Sequence, residues 1–302
     1  MIDVSKHITS ELKENYFLLV KKYLDGPKRN RLNRAVNDSD TNDEEEAFKY
    51  IQKNLRKIIL VPPHDLSSLD DELSTVKNSK LFTQRMTHFY EDFMRTKINE
   101  IIENDNPDWD ENNQKTVAYW LLKKLNIRTC PYCNRNYTFT VTLSTDTLIR
   151  PEFDHFFPKT EKPWLALSLY NLVPSCPTCN HTKGINTISD NPYKRIPSDI
   201  SIEYDAIKDT IKVGPEENLN VKVFGLQNLY EEHIDYAQDV FRKAIAYNPD
   251  IYDVLLNSFQ GTVKTREELE RIIWGVYLEE DKLDKRPLSK LTLDILKQLG
   301  LR

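Results

Sequence analysis

Three stretches decide how this chain folds: Cys130-Pro-Tyr-Cys133; Pro151-Glu152-Phe153-Asp154-His155-Phe156-Phe157-Pro158-Lys159; and Tyr170-Asn171-Leu172-Val173-Pro174-Ser175 running into Cys176-Pro-Thr-Cys179-Asn180-His181-Thr182-Lys183-Gly184. All 4 cysteines fall in the two CxxC pairs. Two-residue spacing lets both sulfurs of a knuckle reach one tetrahedral ion at ~2.3 Å, and a second knuckle fills the remaining positions. Disulfides, unligated core cysteines and a redox CxxC are the rival readings; the first needs an oxidising compartment, and the last has no use for a second pair. The expectation is a structural zinc held by Cys130, Cys133, Cys176 and Cys179. Thiolates in every position leave no place for water or substrate. Such an ion pins the two ends of the segment between the knuckles, and chemistry is to be sought inside that segment.

Outward from the knuckles the pattern changes character. Before Cys130 the chain reads as helix. Leu12, Tyr16, Leu19, Val20 and Tyr23 recur at helical spacing until Gly26 and Pro27. A basic cluster (Lys28, Arg29, Arg31, Arg34) and an acidic stretch from Asn37 to Glu46 read as a solvated loop, with a nucleic-acid patch as the alternative. Helices are expected at Asp43 to Ile59, Asn78 to Asn104 and Glu111 to Leu125, with a loop or short helix from Ser67 to Val76. After the first knuckle, Tyr137, Phe139, Val141 and Leu143 alternate with threonines, which predicts a strand. Further strands are expected at Ile200 to Ile207, Thr210 to Val213 and Asn220 to Phe224. Helices follow at Leu229 to Tyr247, Asp250 to Phe259, Arg266 to Glu280 and Ser289 to Leu299.

The 302 residues allow one large core or two modest ones, and 39% hydrophobic with 29% charged residues and only 7 glycines indicate a folded protein. The first residues lack an apolar core flanked by basic ones, and no run of apolar residues is long enough to span a bilayer, so a soluble, cytoplasmic protein without membrane partners is expected. A net charge of -5 argues against indiscriminate polyanion binding. Yet from Arg128 to Arg195 eight basic residues stand against five acidic ones.

Hydrolysing a phosphodiester takes a base to activate water, a cation to neutralise developing charge, and groups that align them. The segment between the knuckles supplies candidates for all three. Its DH dipeptide followed by proline, its NLxPxC stretch and its CNxxKG ending, framed by two knuckles, resemble the HNH endonuclease family over roughly Cys130 to Asn191. The resemblance implies an α+β protein: a mostly helical body with an embedded zinc-stapled ββα-metal module. The implied organisation is an N-terminal helical domain over 1–126, the nuclease module over 127–199, and a short β segment with C-terminal helices over 200–302. It implies His155 as general base, Asp154 as carboxylate ligand of the catalytic metal, Asn171 as the residue holding the base's loop, and Asn180 as the last ligand position. Many members carry histidine at that last position. An oxygen-rich set favours Mg²⁺ or Mn²⁺.

Each residue also has a plainer reading. His155, among phenylalanines, reads alone as a core histidine, and Asn171 as a turn cap. His181 is either a replacement ligand for Asn180 or a surface histidine; both His181 and Lys183 are candidate substrate contacts, Lys183 meeting a phosphate from the start of the closing helix. Glu152 is either a partner to the site or a surface carboxylate. Phe153, Phe156, Phe157 and Trp164 read as packing. The stretch from Glu152 to Lys183 is also similar to HNH proteins of bacterial anti-phage systems, including PtuB-like nucleases that work with an ATPase, which implies a defence effector with an ATPase partner. DNA is the expected substrate. A ribonuclease acting on transfer RNA, and a non-catalytic zinc-stabilised nucleic-acid-binding module, are the alternatives.

Overall fold

The structure, a computed structural model, describes residues 1–26, 30–69, 79–102, 114–142, 148–194, 199–247, 249–259 and 261–302. The first helix, α1 (Ser10–Asp25), starts where the Thr9 hydroxyl accepts from the Leu12 amide, buries Tyr16, Leu19, Val20 and Tyr23, and ends at Gly26. Residues 38–41 are the loop expected between Asn37 and Glu46, while Arg31 and Arg34 of the basic cluster lie in α2 (Arg31–Asn37) rather than in a loop. Helix α3 (Asn42–Lys53) begins where a helix from Asp43 is expected. Asp43, Glu44 and Glu45 sit at the positive end of the helix dipole, and the Thr41 hydroxyl accepts from the Glu44 amide. Asn54 separates α3 from α4 (Leu55–Ile59), so the expected helix from Asp43 to Ile59 is two pieces. Lys28, Arg29, most of Ser67 to Val76, and the expected beginning of the helix at Glu111 lie outside the described residues.

The long helix expected from Asn78 to Asn104 breaks in the middle. Helix α5 (Lys80–Arg95) stops at extended Thr96, and α6 (Ile98–Ile101) is one turn. Competing backbone pairing explains the break. Lys97 bridges Thr116, the Val117 amide donates to the Thr96 carbonyl at 3.0 Å, and the Ile98 amide donates to the Lys115 carbonyl at 3.1 Å. That pairing launches α7 (Val117–Leu125), which buries seven of its nine residues and reverses at left-handed Asn126 to deliver the chain to Cys130.

Beyond the first knuckle the predicted strand from Tyr137 to Leu143 is reduced to a bridge between Tyr137 and Thr129 and to β1 (Val141–Thr142), paired with β2 (Leu148–Ile149); Leu143 lies outside the described residues. The apolar residues do not turn inward. Thr138 is buried, while Tyr137, Phe139 and Val141 face solvent. Next comes the hairpin of β3 (Glu152–His155) and β4 (Leu172–Ser175), in the register Glu152 to Ser175 and His155 to Leu172, and then α8 (Pro177–Lys183).

A second hairpin, β5 (Ser201–Asp205) with β6 (Thr210–Gly214), agrees with two of the strands expected after residue 200. The third is wrong. Asn220 to Phe224 lies in α9 (Leu219–Phe224), because the Asn218 carboxamide oxygen caps the amides of Asn220 and Val221, and Val221 and Phe224, three apart, share the buried face. The C-terminal part is helical: α10 (Leu226–Glu231), α11 (Ile234–Ala246), α12 (Pro249–Ser258), α13 (Arg266–Trp274) and α14 (Ser289–Gln298). Helix α13 ends short of Glu280 because Gly275 turns left-handed. The three expected segments share one hydrophobic core, which runs from Tyr16 and Phe93 through Trp120, Tyr132 and Trp164 to Phe224 and Ile295. Among the described residues, no helix is long and apolar enough to cross a membrane.

Candidate functional site

The four cysteines converge. Their sulfurs all lie within 4.8 Å of one another, and all four residues are buried. Tetrahedral Zn–S bonds imply sulfurs ~3.8 Å apart, and Cys133 and Cys176 stand at 4.0 Å. The cluster can therefore hold a zinc ion. The first knuckle turns as it does because Asn134 adopts a left-handed conformation and donates its amide to the Cys130 carbonyl, while the Cys130 amide donates to Asn136. The second opens α8, with the Cys179 amide directed at the Cys176 sulfur. The Asn136 carboxamide donates to the Cys176 sulfur at 3.4 Å, a contact that favours its thiolate. The knuckles are anchored from afar: the Tyr230 hydroxyl donates to the Cys133 carbonyl, and the Asn134 side chain donates to Leu283 and accepts from the Lys290 amide.

Pinned by the cysteines, the hairpin β3–β4 and helix α8 enclose a small polar cluster. Asp154 is 3% exposed, and both its oxygens are taken: the Tyr132 hydroxyl donates at 2.6 Å and the Lys183 ammonium at 3.2 Å. Burial pushes the Asp154 carboxyl above the usual range, opposed by the Lys183 charge and the Tyr132 hydroxyl. Lys183 is fully buried and also donates to the His155 carbonyl at 2.7 Å. This corrects the expected role of Lys183. It stands in the last turn of α8, not the first, and its charge is spent on an internal carboxylate rather than turned toward a phosphate.

His155 closes β3. Its Nε2 lies 3.1 Å from the Ala166 carbonyl, which can only accept, so Nε2 carries the proton and Nδ1 carries the lone pair. Burial draws the imidazole down to about 3, with Lys159 and Lys183 adding to the effect, so the ring is neutral at physiological pH. The Tyr90 ring from α5 packs edge-on at 4.5 Å, and Lys159 beside it pairs with Glu91. Asn171 is wholly engaged: its oxygen accepts from the Phe157 amide, and its nitrogen donates to the carbonyls of Phe157 and Leu165. It ties the loop after His155 to the turn that enters β4.

Asn180, on α8, donates to the Glu152 carboxylate at 2.6 Å near the surface, and His181 next to it is exposed. The fold thus gathers Asp154, Lys183 and Tyr132 into one buried cluster and Glu152 and Asn180 into an outer pair. Among the described residues no hydrogen bond joins the side chains of Asp154 or His155 to Asn180. Sequence reasoning missed Tyr132 and the Ala166 carbonyl. Tyr132 sits inside the first CxxC, where the cysteines dominate the pattern; the carbonyl has no sequence signature at all. No family model, no curated protein and no solved structure matches the chain.

Proposed function

We propose that the chain is a metal-dependent endonuclease of the HNH type that hydrolyses phosphodiester bonds, with DNA as its first substrate. The observation that carries this reading is the tautomer of His155: its Nε2 hydrogen is committed to the Ala166 carbonyl, which leaves the lone pair on Nδ1, and because burial in the closed protein lowers the ring's basicity, it acts as base once the enclosure opens. Support comes from the order of the parts, a hairpin followed by a helix and clamped by four cysteines, with Asp154 beside the base and Asn171 fixing its loop. In the reaction Nδ1 takes the proton of a water as its oxygen bonds to phosphorus and the bond to the leaving sugar oxygen breaks. Asn171 keeps the ring in place through the loop. The family resemblance gives Asp154 and Asn180 as the residues that would hold Mg²⁺ or Mn²⁺, whose charge would offset that on phosphate and leaving oxygen; in the closed protein Asp154 is held by Lys183 and Tyr132 and Asn180 by Glu152, so these bonds would have to open first. His155 is 9% exposed, and Tyr90 and the Lys159–Glu91 pair border it. That enclosure suits an effector opened by a companion protein, such as the ATPase of an anti-phage system.

The test is incubation of the protein with supercoiled plasmid, linear DNA and total RNA in Mg²⁺, Mn²⁺ or EDTA, beside His155→Ala with zinc content measured in both. The expected result is DNA cleavage abolished by EDTA and by the substitution, with zinc unchanged. Cleavage confined to RNA would move the reading to a ribonuclease, and equal activity in the variant would remove His155 as base. One observation favours a second reading, a zinc-braced module that binds nucleic acid without cutting it: the Asp154 carboxylate is already satisfied by Lys183 and Tyr132.

A further inference from the structure

Immediately beyond the first knuckle the chain carries aromatic side chains on the outside. Tyr137 and Phe139 are 50% and 37% exposed, and their rings stack on each other at 4.4 Å with 22° between planes. The exposed Arg128 guanidinium lies 5.2 Å from the centre of the Phe139 ring. Beside them, between the end of α7 and the 138–141 stretch, is an open cavity of about 370 Å³ whose lining includes Lys123, Arg128 and Phe139 and no acidic residue. Its volume falls in the ~300–1,000 Å³ range of small-ligand pockets. In an acidic protein this is a local concentration of positive charge.

These features answer a question the core does not. An alternating stretch normally turns its apolar residues inward; here Thr138 is the buried member, its hydroxyl donating to the Ile127 carbonyl at 2.9 Å, and the rings are left in water. Solvent-facing rings flanked by cations, with few fixed donors for reading base edges, are the composition of surfaces that stack unpaired bases regardless of sequence. In a duplex the faces of the bases are covered by their neighbours, so such a surface selects strands whose bases are free.

We infer that Tyr137, Phe139 and Arg128, with Lys123 at the adjoining cavity, form a base-stacking platform for single-stranded nucleic acid. The inference gives a substrate class to the proposed nuclease, single-stranded segments or duplexes with unpaired nucleotides, and as an account of specificity it rests on that reading. The platform rises from Thr129 and Tyr137, which bridge one another next to Cys130, so it is fixed to the same zinc-clamped frame as the hairpin.

The experiment measures binding of the whole protein to fluorescein-labelled 20-nucleotide single strands and the matching duplex in EDTA, where cleavage cannot interfere, with a Tyr137→Ala/Phe139→Ala variant and an Arg128→Gln variant. Circular dichroism and zinc content verify that the variants are folded. The expected result is tighter binding of the single strand than of the duplex, weakened about tenfold or more in the double aromatic variant, with Arg128→Gln lowering the salt dependence by about one phosphate contact. Tyr137→Trp retains binding in this scheme, since it keeps a stacking face. Equal affinity for duplex and single strand, unchanged affinity in the aromatic variant, or no binding by the wild type would each overturn the platform. Loss of self-association in the variant without any effect on oligonucleotides would assign the rings to a protein interface instead. Failure of the nuclease reading is seen separately, as intact single-strand binding with no cleavage in Mg²⁺ or Mn²⁺.

Discussion

Lys183, at the end of the closing helix, places its ammonium 3.2 Å from the Asp154 carboxylate in a position from which both side chains are almost wholly excluded from water. Each charge is tolerable there only because of the other. Lys183→Met, which keeps the bulk, strands a buried carboxylate and is expected to lower stability by about 3–5 kcal/mol. Adding Asp154→Asn should recover most of the loss. Urea unfolding of both single variants and the double variant gives the coupling directly, and a single-variant cost below about 1 kcal/mol would mean that the pair is open to solvent.

The cysteine cluster predicts one zinc per chain. Elemental analysis should find it, and a strong chelator should release it with loss of structure around the hairpin, since binding energy of a structural ion is folding energy. Cys176→Ser removes the sulfur that both the Asn136 carboxamide and the Cys179 amide approach. The variant should bind zinc far more weakly and melt at lower temperature. A Cys176→Ser protein with full zinc content and an unchanged melting curve would show that the four thiols do not share an ion.

Asn171 makes three hydrogen bonds from a site with no solvent exposure. Asn171→Ala leaves the Phe157 amide and two carbonyls to find new partners, at an expected cost of about 2–4 kcal/mol. Because those bonds fix the loop that follows His155, cleavage should fall even at temperatures where the variant is fully folded. Zinc content should stay unchanged. A variant as active as the wild type would separate the loop from the function of the base.

What could be read beforehand was whatever the sequence encodes locally. The cysteine spacing, the amphipathic stripe of α1 and the alternation behind β5 and β6 are short-range signals, and each appears where it is expected. The errors lie where distant groups compete. Thr96 leaves its helix because residues 115–117 offer backbone partners, a pairing that no window around Thr96 contains. The strand expected at Asn220 to Phe224 is a local misreading instead, since Asn218, two residues upstream, caps α9. Lys183, expected to meet a phosphate from the start of the closing helix, stands in its last turn, which the seven residues of α8 carry onto the end of β3, where Asp154 meets it. For Tyr137 and Phe139 the period was legible and the facing was not, since a two-residue repeat does not say which side of a strand is wet.

His155 predicts how stability responds to acid. Burial holds its imidazole at about 3 in the folded protein, against about 6.5 in an unfolded chain. Between those values the unfolded chain binds a proton that the folded one refuses, so stability falls as pH falls from 6.5 toward 3. The slope is about 1.4 kcal/mol per pH unit, hence about 2 kcal/mol between neutral pH and pH 5. His155→Gln can still donate to the Ala166 carbonyl and does not titrate, so it should lack this component while keeping every acid effect of the cysteine cluster. The measurement is the urea midpoint of both proteins at pH 7 and pH 5, and the quantity of interest is the difference between the two drops. Parallel drops would mean that His155 accepts a proton readily in the folded state, in which case the ring is not enclosed by Tyr90 and Ala166 as the structure has it.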